Sequence, residues 1–150
     1  MAQTLVSLLV HIIFSTKKRA NFITPEIESE LYAYIGGTLR NFESPSLAIN
    51  GTSNHIHLLI ALSKNLALSP LIREIKKSSS KWIKSKGPAF HRFGWQDGYG
   101  AFSIGQSAVA DLIRYIAKQK EKHKRKSFET EFVEFLRKYH VNYDERYIWD

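Results

Sequence analysis

The sequence predicts an α+β fold: a ferredoxin-like, RRM-like antiparallel sheet in the order β-α-β-β-α-β, with extra C-terminal helices. Three observations carry this expectation. Apolar runs of strand character stand at residues 5–14, 46–51 and 54–62, and a short aromatic one at 99–104. Two long helical patterns, each opened by a capping residue followed by proline, fall between the first and second runs and between the third and fourth. The order in which they alternate is that of the split βαβ arrangement.

Taken in order, Leu5–Phe14 (LVSLLVHIIF) is rich in Val, Ile, Leu and Phe and predicts a buried strand. It is too short to cross a bilayer, which takes roughly 20 residues. Lys17-Lys18-Arg19 follow the run rather than precede it, the reverse of a secretory leader, so the expectation is a cytoplasmic protein without a membrane span. Thr24-Pro25-Glu26 opens a helix in which Ile27, Leu31, Tyr34, Ile35 and Leu39 recur at helical spacing to about Phe42. Ser46–Gly51 and Asn54–Leu62 predict a hairpin across Thr52-Ser53. Ser69-Pro70 opens a second helix that runs to the Gly87-Pro88 break. Its apolar side carries Leu71, Ile75 and Trp82, and Arg73, Lys76, Lys77, Lys81 and Lys84 line much of the rest. Tyr99–Ile104 predicts a strand. Ser107 caps a third helix over Ala108–Lys122, a basic stretch follows to Lys126, and Ser127 starts a fourth helix that ends near Tyr139. The tail, His140–Asp150, is expected along the surface. No repeat, low-complexity linker or composition shift divides the chain, which predicts one domain over residues 1–150.

The chain has 150 residues, 43% hydrophobic and 24% charged, the balance of a globular protein. Its formal net charge of +8 points to a polyanionic partner, most commonly nucleic acid. The absence of cysteine excludes disulfides, thiolate metal sites and thiol nucleophiles, so a metal would need His, Asp, Glu or Gln ligands.

His55-Ile56-His57 is the most informative triplet. On a strand alternate side chains share a face, so the two imidazoles point the same way, roughly 6.6 Å apart at about 3.3 Å per residue. They can share a divalent ion; equally, one can pack in the core while the other makes a surface hydrogen bond. Imidazole suits Mn, Zn and Ni, whereas Mg²⁺ is more often held by oxygen. On the third helix Tyr115 and Gln119 are four residues apart and share a face. Tyr115 is either a half-buried aromatic with its hydroxyl in water or a nucleophile. As a nucleophile the phenol, with a pKa near 10, needs a nearby cation. Gln119 could offer an amide oxygen to the same ion.

With these residues in place the chain resembles the small single-tyrosine transposases of the HUH (His-hydrophobe-His) superfamily, including the REP-associated tyrosine transposases. The resemblance covers nearly the whole chain. It rests on HIIFSTKKR at 11–19, SNHIHLLI at 53–60, SSSKWIK at 78–84, GYGAFSIGQS at 98–107 and RYIAKQKEKHKRKSFETEF at 114–132. It implies DNA transposition by a single-strand endonuclease and strand transferase that acts on single-stranded or hairpin DNA with Mg²⁺ or Mn²⁺. A tyrosine attacks a DNA phosphate, giving a 5′-phosphotyrosine and a free 3′-OH. On this resemblance His55 and His57 correspond to the metal-binding pair, Gln119 to the third ligand and Tyr115 to the nucleophile, and the protein is expected as a homodimer. Asn54 stands where the family often has Asp.

Lys17, Lys18, Arg19, Lys76, Lys77, Lys81, Lys84 and Lys122 are candidate phosphate contacts, or a merely solvated face. Trp95, Tyr99 and Phe102 are candidates to stack on unpaired bases, with core packing favoured for Phe102. His91 and His123 have no neighbour at ligand spacing and are not expected as ligands. Few carboxylates are expected near the His pair. The alternative to a transposase is a non-catalytic or domesticated binding module with an RRM-like sheet.

Overall fold

A computed structural model describes residues 2–150. Four antiparallel strands, β1 (Leu9–Ser15), β2 (Ser46–Gly51), β3 (His55–Ala61) and β4 (Gly100–Ile104), form one sheet in the order β2-β3-β1-β4. Helix α1 (Pro25–Asn41) links β1 to β2 and α2 (Leu68–Lys84) links β3 to β4. Three more helices follow, α3 (Val109–Ala117), α4 (Gln119–Lys122) and α5 (Phe128–Lys138). The expected ferredoxin-like order with added C-terminal helices is therefore present.

The central strands β1 and β3 are buried on both faces, which is why they read as unbroken apolar runs. Ile12, Phe14, Ile56, Leu58 and Ile60 face one way, onto a core completed by Leu31 and Ile35 of α1 and Ile72 and Ile75 of α2. The alternate residues face the other way. Leu9 and Leu59 pack on Val109 and Ile116 of α3, and Ile13 packs on Phe128, Phe132 and Leu136 of α5. This second layer encloses His11, His55 and His57, all fully buried. Antiparallel pairing sets Ile13 opposite His57 and Ser15 opposite His55, so the three histidines share one face of adjacent strands.

Four expectations need correction. The first strand begins at Leu9, because β3 ends at Ala61 and β4 at Ile104, both opposite Leu9; one more backbone bond follows, from Leu62 N–H to the Leu8 carbonyl at 2.7 Å, and the ladder does not extend to Leu5. Leu5 is 83% exposed. Helix α2 begins two residues early, at Leu68. The third helix does not run through to Lys122: Asn50 Nδ2 donates to the carbonyls of Ile116 (2.8 Å) and Ala117 (3.3 Å), capping α3, and Lys118 leaves the helical region at φ −100°, ψ 18°. Finally, the tail does more than lie on the surface. Ile148 and Trp149 pack against the α5 core, and the Asp150 carbonyl accepts from Gly98 N–H at 2.9 Å. The start of α5 is as expected, with Ser127 accepting from Thr130 N–H at 3.1 Å. Among the described residues no helix is long and apolar enough to cross a membrane.

The β2–β3 turn depends on Gly51. A Cβ there would lie 2.1 Å from the His55 carbonyl oxygen and 2.8 Å from Ile56 Cα, both backbone atoms that cannot yield. Gly51→Ala is expected to cost about 2–3 kcal/mol and to displace His55. Urea denaturation checks this; an unchanged midpoint would show that the turn relaxes freely.

Candidate metal centre and nucleophile

Three elements converge on the buried face of the sheet. Strand β3 presents His55 and His57, the segment after α4 presents His123, and α5 presents Glu131 from its apolar side, between Phe128 and Phe132. One potential ligand atom from each of these four residues lies within 4.8 Å of all the others. His57 Nε2 is 2.9 Å and His123 Nε2 3.1 Å from Glu131 Oε1, with His55 Nε2 at 3.5 Å. Gln119, fully buried, places Oε1 3.0 Å from His55 Nε2 and donates through Nε2 to Glu131 Oε2 at 3.0 Å. The Tyr115 hydroxyl donates to the same oxygen, Glu131 Oε2.

An outer layer holds each imidazole by its other nitrogen. His55 Nδ1 lies 2.8 Å from Asn54 Oδ1 and 2.9 Å from Thr52 Oγ1. His57 Nδ1 meets His11 Nε2 at 2.8 Å, and His123 Nδ1 meets the Lys126 carbonyl at 2.7 Å. Outer partners of this kind orient metal-ligating histidines. Asn54 thus supports the imidazole from behind.

The donor set itself tests whether a cation fits. The Gln119 amide N–H₂ must face the Glu131 carboxylate, so its oxygen faces His55 Nε2. His55, kept neutral by burial, has Asn54 Oδ1 against one nitrogen and Gln119 Oε1 against the other, and a neutral imidazole carries only one N–H. One of its two contacts is then lone pair against lone pair, an arrangement that positive charge at the point of convergence relieves. Buried imidazole nitrogens with a carboxylate and an amide oxygen suit a divalent transition ion.

Charge behaves accordingly. Burial lowers His55 to about 4, against partial compensation from Glu131, and lowers His11 to about 3, reinforced by His57. Burial alone would raise the Glu131 carboxyl, but hydrogen bonds from His123, His55 and His57 outweigh it and hold the group well below the usual carboxylate range. Burial, and then the hydrogen bond and negative charge of Glu131, push the Tyr115 phenol up.

His55, His57, Tyr115 and Gln119 therefore meet in one place. His123 joins them, against expectation, because the chain turns back between α4 and α5. Glu131 joins the site without being nominated by motif or spacing. Its signal was a carboxylate on the apolar stripe of an amphipathic helix, in step with Phe128, Phe132 and Phe135.

The candidate nucleic-acid contacts divide. Lys122 stands beside the site, its Nζ 5.0 Å from the Tyr115 ring centroid. Lys17 and Lys18 are exposed, and Arg19 sits over Trp149 and pairs with Glu129 at 3.5 Å. Lys77, Lys81 and Lys84 are exposed on α2, in the layer across the sheet from Tyr115. Lys76 is not a free phosphate contact: its Nζ donates to the carbonyls of Gln96, Asp97 and Gly98, and burial lowers it to about 8. Trp95 is not a stacking platform either. It is 7% exposed, lies edge-on to Phe14 and Phe93, and donates to Ser79 Oγ at 2.9 Å. Phe102 is buried, as favoured, and Tyr99 is half-buried under Lys76.

No curated protein matches the chain in sequence. Two of the solved structures similar in fold illustrate the likeness. One is a candidate transposase from Deinococcus radiodurans, with TM-score 0.63 and 18% identity over 79% of this chain and 95% of that one. The other is a REP-associated tyrosine transposase bound to a REP hairpin, with TM-score 0.60 and 17% identity over 82% of this chain and 73% of that one. The profile described as "Transposase IS200 like" matches residues 4–119, from before β1 to the buried Gln119, and the chain accordingly belongs to the IS200-like transposase family.

Proposed function

We propose that the protein is a metal-dependent single-strand DNA endonuclease and strand transferase in which Tyr115 is the nucleophile. The carrying observation is the Tyr115 hydroxyl on Glu131, whose other oxygen lies among the three imidazoles, so nucleophile and ligand set share one carboxylate. Tyr115 Oη gives up its proton and bonds to phosphorus, the P–O3′ bond breaks, and the 3′ oxygen takes up a proton. The cut strand stays attached through a 5′-phosphotyrosine, which conserves the phosphodiester for rejoining. His55, His57, His123 and Glu131 would hold the ion, with Gln119 Oε1 beside it. When bound, a divalent cation supplies the charge that draws in a phosphate oxygen and favours the phenolate. Of Mg²⁺ and Mn²⁺, the imidazole-rich set favours Mn²⁺.

Lys118, Lys122, Lys124, Arg125 and Lys126 line a groove of about 820 Å³ that reaches Tyr115, a path suited to a phosphate backbone. Hairpin-bearing DNA is the proposed substrate, in line with the hairpin held by the structurally similar REP-associated protein. We extend the reading to a homodimer, with light scattering as its check.

Incubation with labelled hairpin-bearing single strands and Mn²⁺ is expected to give a covalent adduct that survives a denaturing gel. Tyr115→Phe is expected to lose it entirely. An adduct retained by Tyr115→Phe would remove Tyr115 from the role. Binding without any adduct in the wild type would favour a non-catalytic module.

A further inference from the structure

We propose that a slot between α3 and α5 takes one unpaired base of the DNA strand, next to the phosphate presented to Tyr115. This deepens the reading above and rests on it for the identity of the strand.

The slot has a volume of about 300 Å³, at the small end of ligand pockets. Ile104 and Leu112 make an apolar side, Phe135 and Tyr139 an aromatic one, and Tyr115 borders it. The Phe135 and Tyr139 rings are nearly parallel, 9° apart with centroids 6.4 Å apart, and Tyr115 stands at 83° to Phe135 with centroids at 5.7 Å. Phe128 and Phe132 on the same helix are buried, whereas Phe135 and Tyr139 are only half-buried, so these two keep surface that packing does not use. Phe102 backs Tyr139, with ring centroids 4.8 Å apart, which keeps the ring in place.

Charge selects the occupant. Tyr115 also borders the basic groove and a second opening lined by Lys122, Lys126, Lys138 and Glu134, of which Lys126 and Glu134 pair with each other. Lys138 stands at the rim of the slot itself. The one acid at its mouth, Asp111, is engaged by Arg114. An apolar, aromatic recess with Lys138 at its rim and the basic groove beside it fits a base whose flanking phosphates stay outside. A neutral apolar ligand would leave the cations unused, and an anion alone would leave the aromatic faces unused. Every base has a π-face, so such a slot binds by stacking and tolerates sequence. A double helix keeps its bases stacked inside, so the slot also selects single strands.

The test uses a short single-stranded oligodeoxyuridine carrying 5-iodouracil and the same strand with abasic sites in place of bases. Ultraviolet crosslinking followed by peptide mapping is expected to place crosslinks on Phe135 or Tyr139. By fluorescence anisotropy the base-bearing strand is expected to bind about tenfold tighter than the abasic one. Ala108 lines the slot, is exposed and makes no core contact, so Ala108→Trp fills the slot without opening a cavity. It should erase the base preference, so that the variant binds the base-bearing and abasic strands equally. Tyr139→Leu should reduce the preference if Ala108→Trp does not fold.

Crosslinks only outside the slot, equal binding of the two strands by the wild type, or a preference that survives Ala108→Trp would each overturn the proposal. The Tyr115 adduct, measured with hairpin-bearing DNA in the same preparation, separates the two readings. An adduct without base preference removes the slot alone. Slot crosslinks and base preference without an adduct remove the catalytic reading and leave the slot standing.

Discussion

Glu131→Gln is expected to weaken Mn²⁺ binding by more than about 100-fold and to abolish the Tyr115 adduct. The factor is set from outer partners of metal ligands, whose loss typically costs 10–100-fold, so a carboxylate placed among the imidazoles should cost at least the upper end. The substitution keeps the shape but removes the negative charge, and it turns an N–H₂ toward groups that now donate to the carboxylate. The metal-free protein should also lose about 2 kcal/mol, the scale of a hydrogen bond to a charged group. Titration calorimetry reads the affinity. Thermal melts supply a second measure, since an ion at about 100 times its Kd stabilises the folded state by about 2.7 kcal/mol and that shift should vanish in the variant. Mn²⁺ should bind the wild type more tightly than Mg²⁺. Unchanged Mn²⁺ affinity in Glu131→Gln would show that the ion is held elsewhere and that Glu131 serves only to anchor Tyr115.

Acid should unfold the metal-free protein well before ordinary carboxylate titration does. His11 and His55 are buried neutral, lowered from 6.5 to about 3 and about 4. Below pH 6.5 the unfolded chain takes up protons at both positions while the folded chain does not. Stability therefore falls as pH drops from 6.5 toward 4, with a limiting slope of about 1.4 kcal/mol per pH unit for each group. Two such groups amount to several kcal/mol, a large share of the 5–15 kcal/mol typical of a domain. Glu131, lowered in the folded state, adds a loss of the same sign below its unfolded value of 4.5. Urea midpoints between pH 7.5 and 4.5, with chelator present, should show the slope. His11→Phe should flatten it, because the ring at this position stacks on His57 and is enclosed by Phe102 and Phe135 but no longer titrates. A slope equal to that of the wild type would mean that His11 is not held neutral by burial.

The order of strands and helices, and the face shared by His55 and His57, were legible in the sequence because they follow from local periodicity. Alternation along one strand places both imidazoles on one side whatever else the fold does. Caps and prolines marked the helix starts at Pro25 and Phe128 within the chain itself. Ends that depend on a partner were not legible in this way. Nothing near Leu5 says that β3 and β4 stop opposite Leu9, and nothing near Lys118 says that Asn50 reaches across from β2 to cap α3.

The same distinction runs through the site. Residue type and spacing nominated His55, His57, Tyr115 and Gln119, because a strand triplet and a tyrosine–glutamine pair are local patterns. Glu131 and His123 joined the site through folding, since α5 lays its apolar side, with one carboxylate in it, over the histidine face of the sheet, and the chain turning back between α4 and α5 brings His123 beside it. Burial also decided which nominated contacts are free. Lys76 and Trp95 look like a cation and a stacking ring in the sequence, but three carbonyls and the packing of Phe14 and Phe93 consume them. What the sequence by itself determined was the chemistry carried by individual elements. Only the tertiary structure decided which groups converge and which are spent on packing, because convergence depends on contacts between residues distant in the chain.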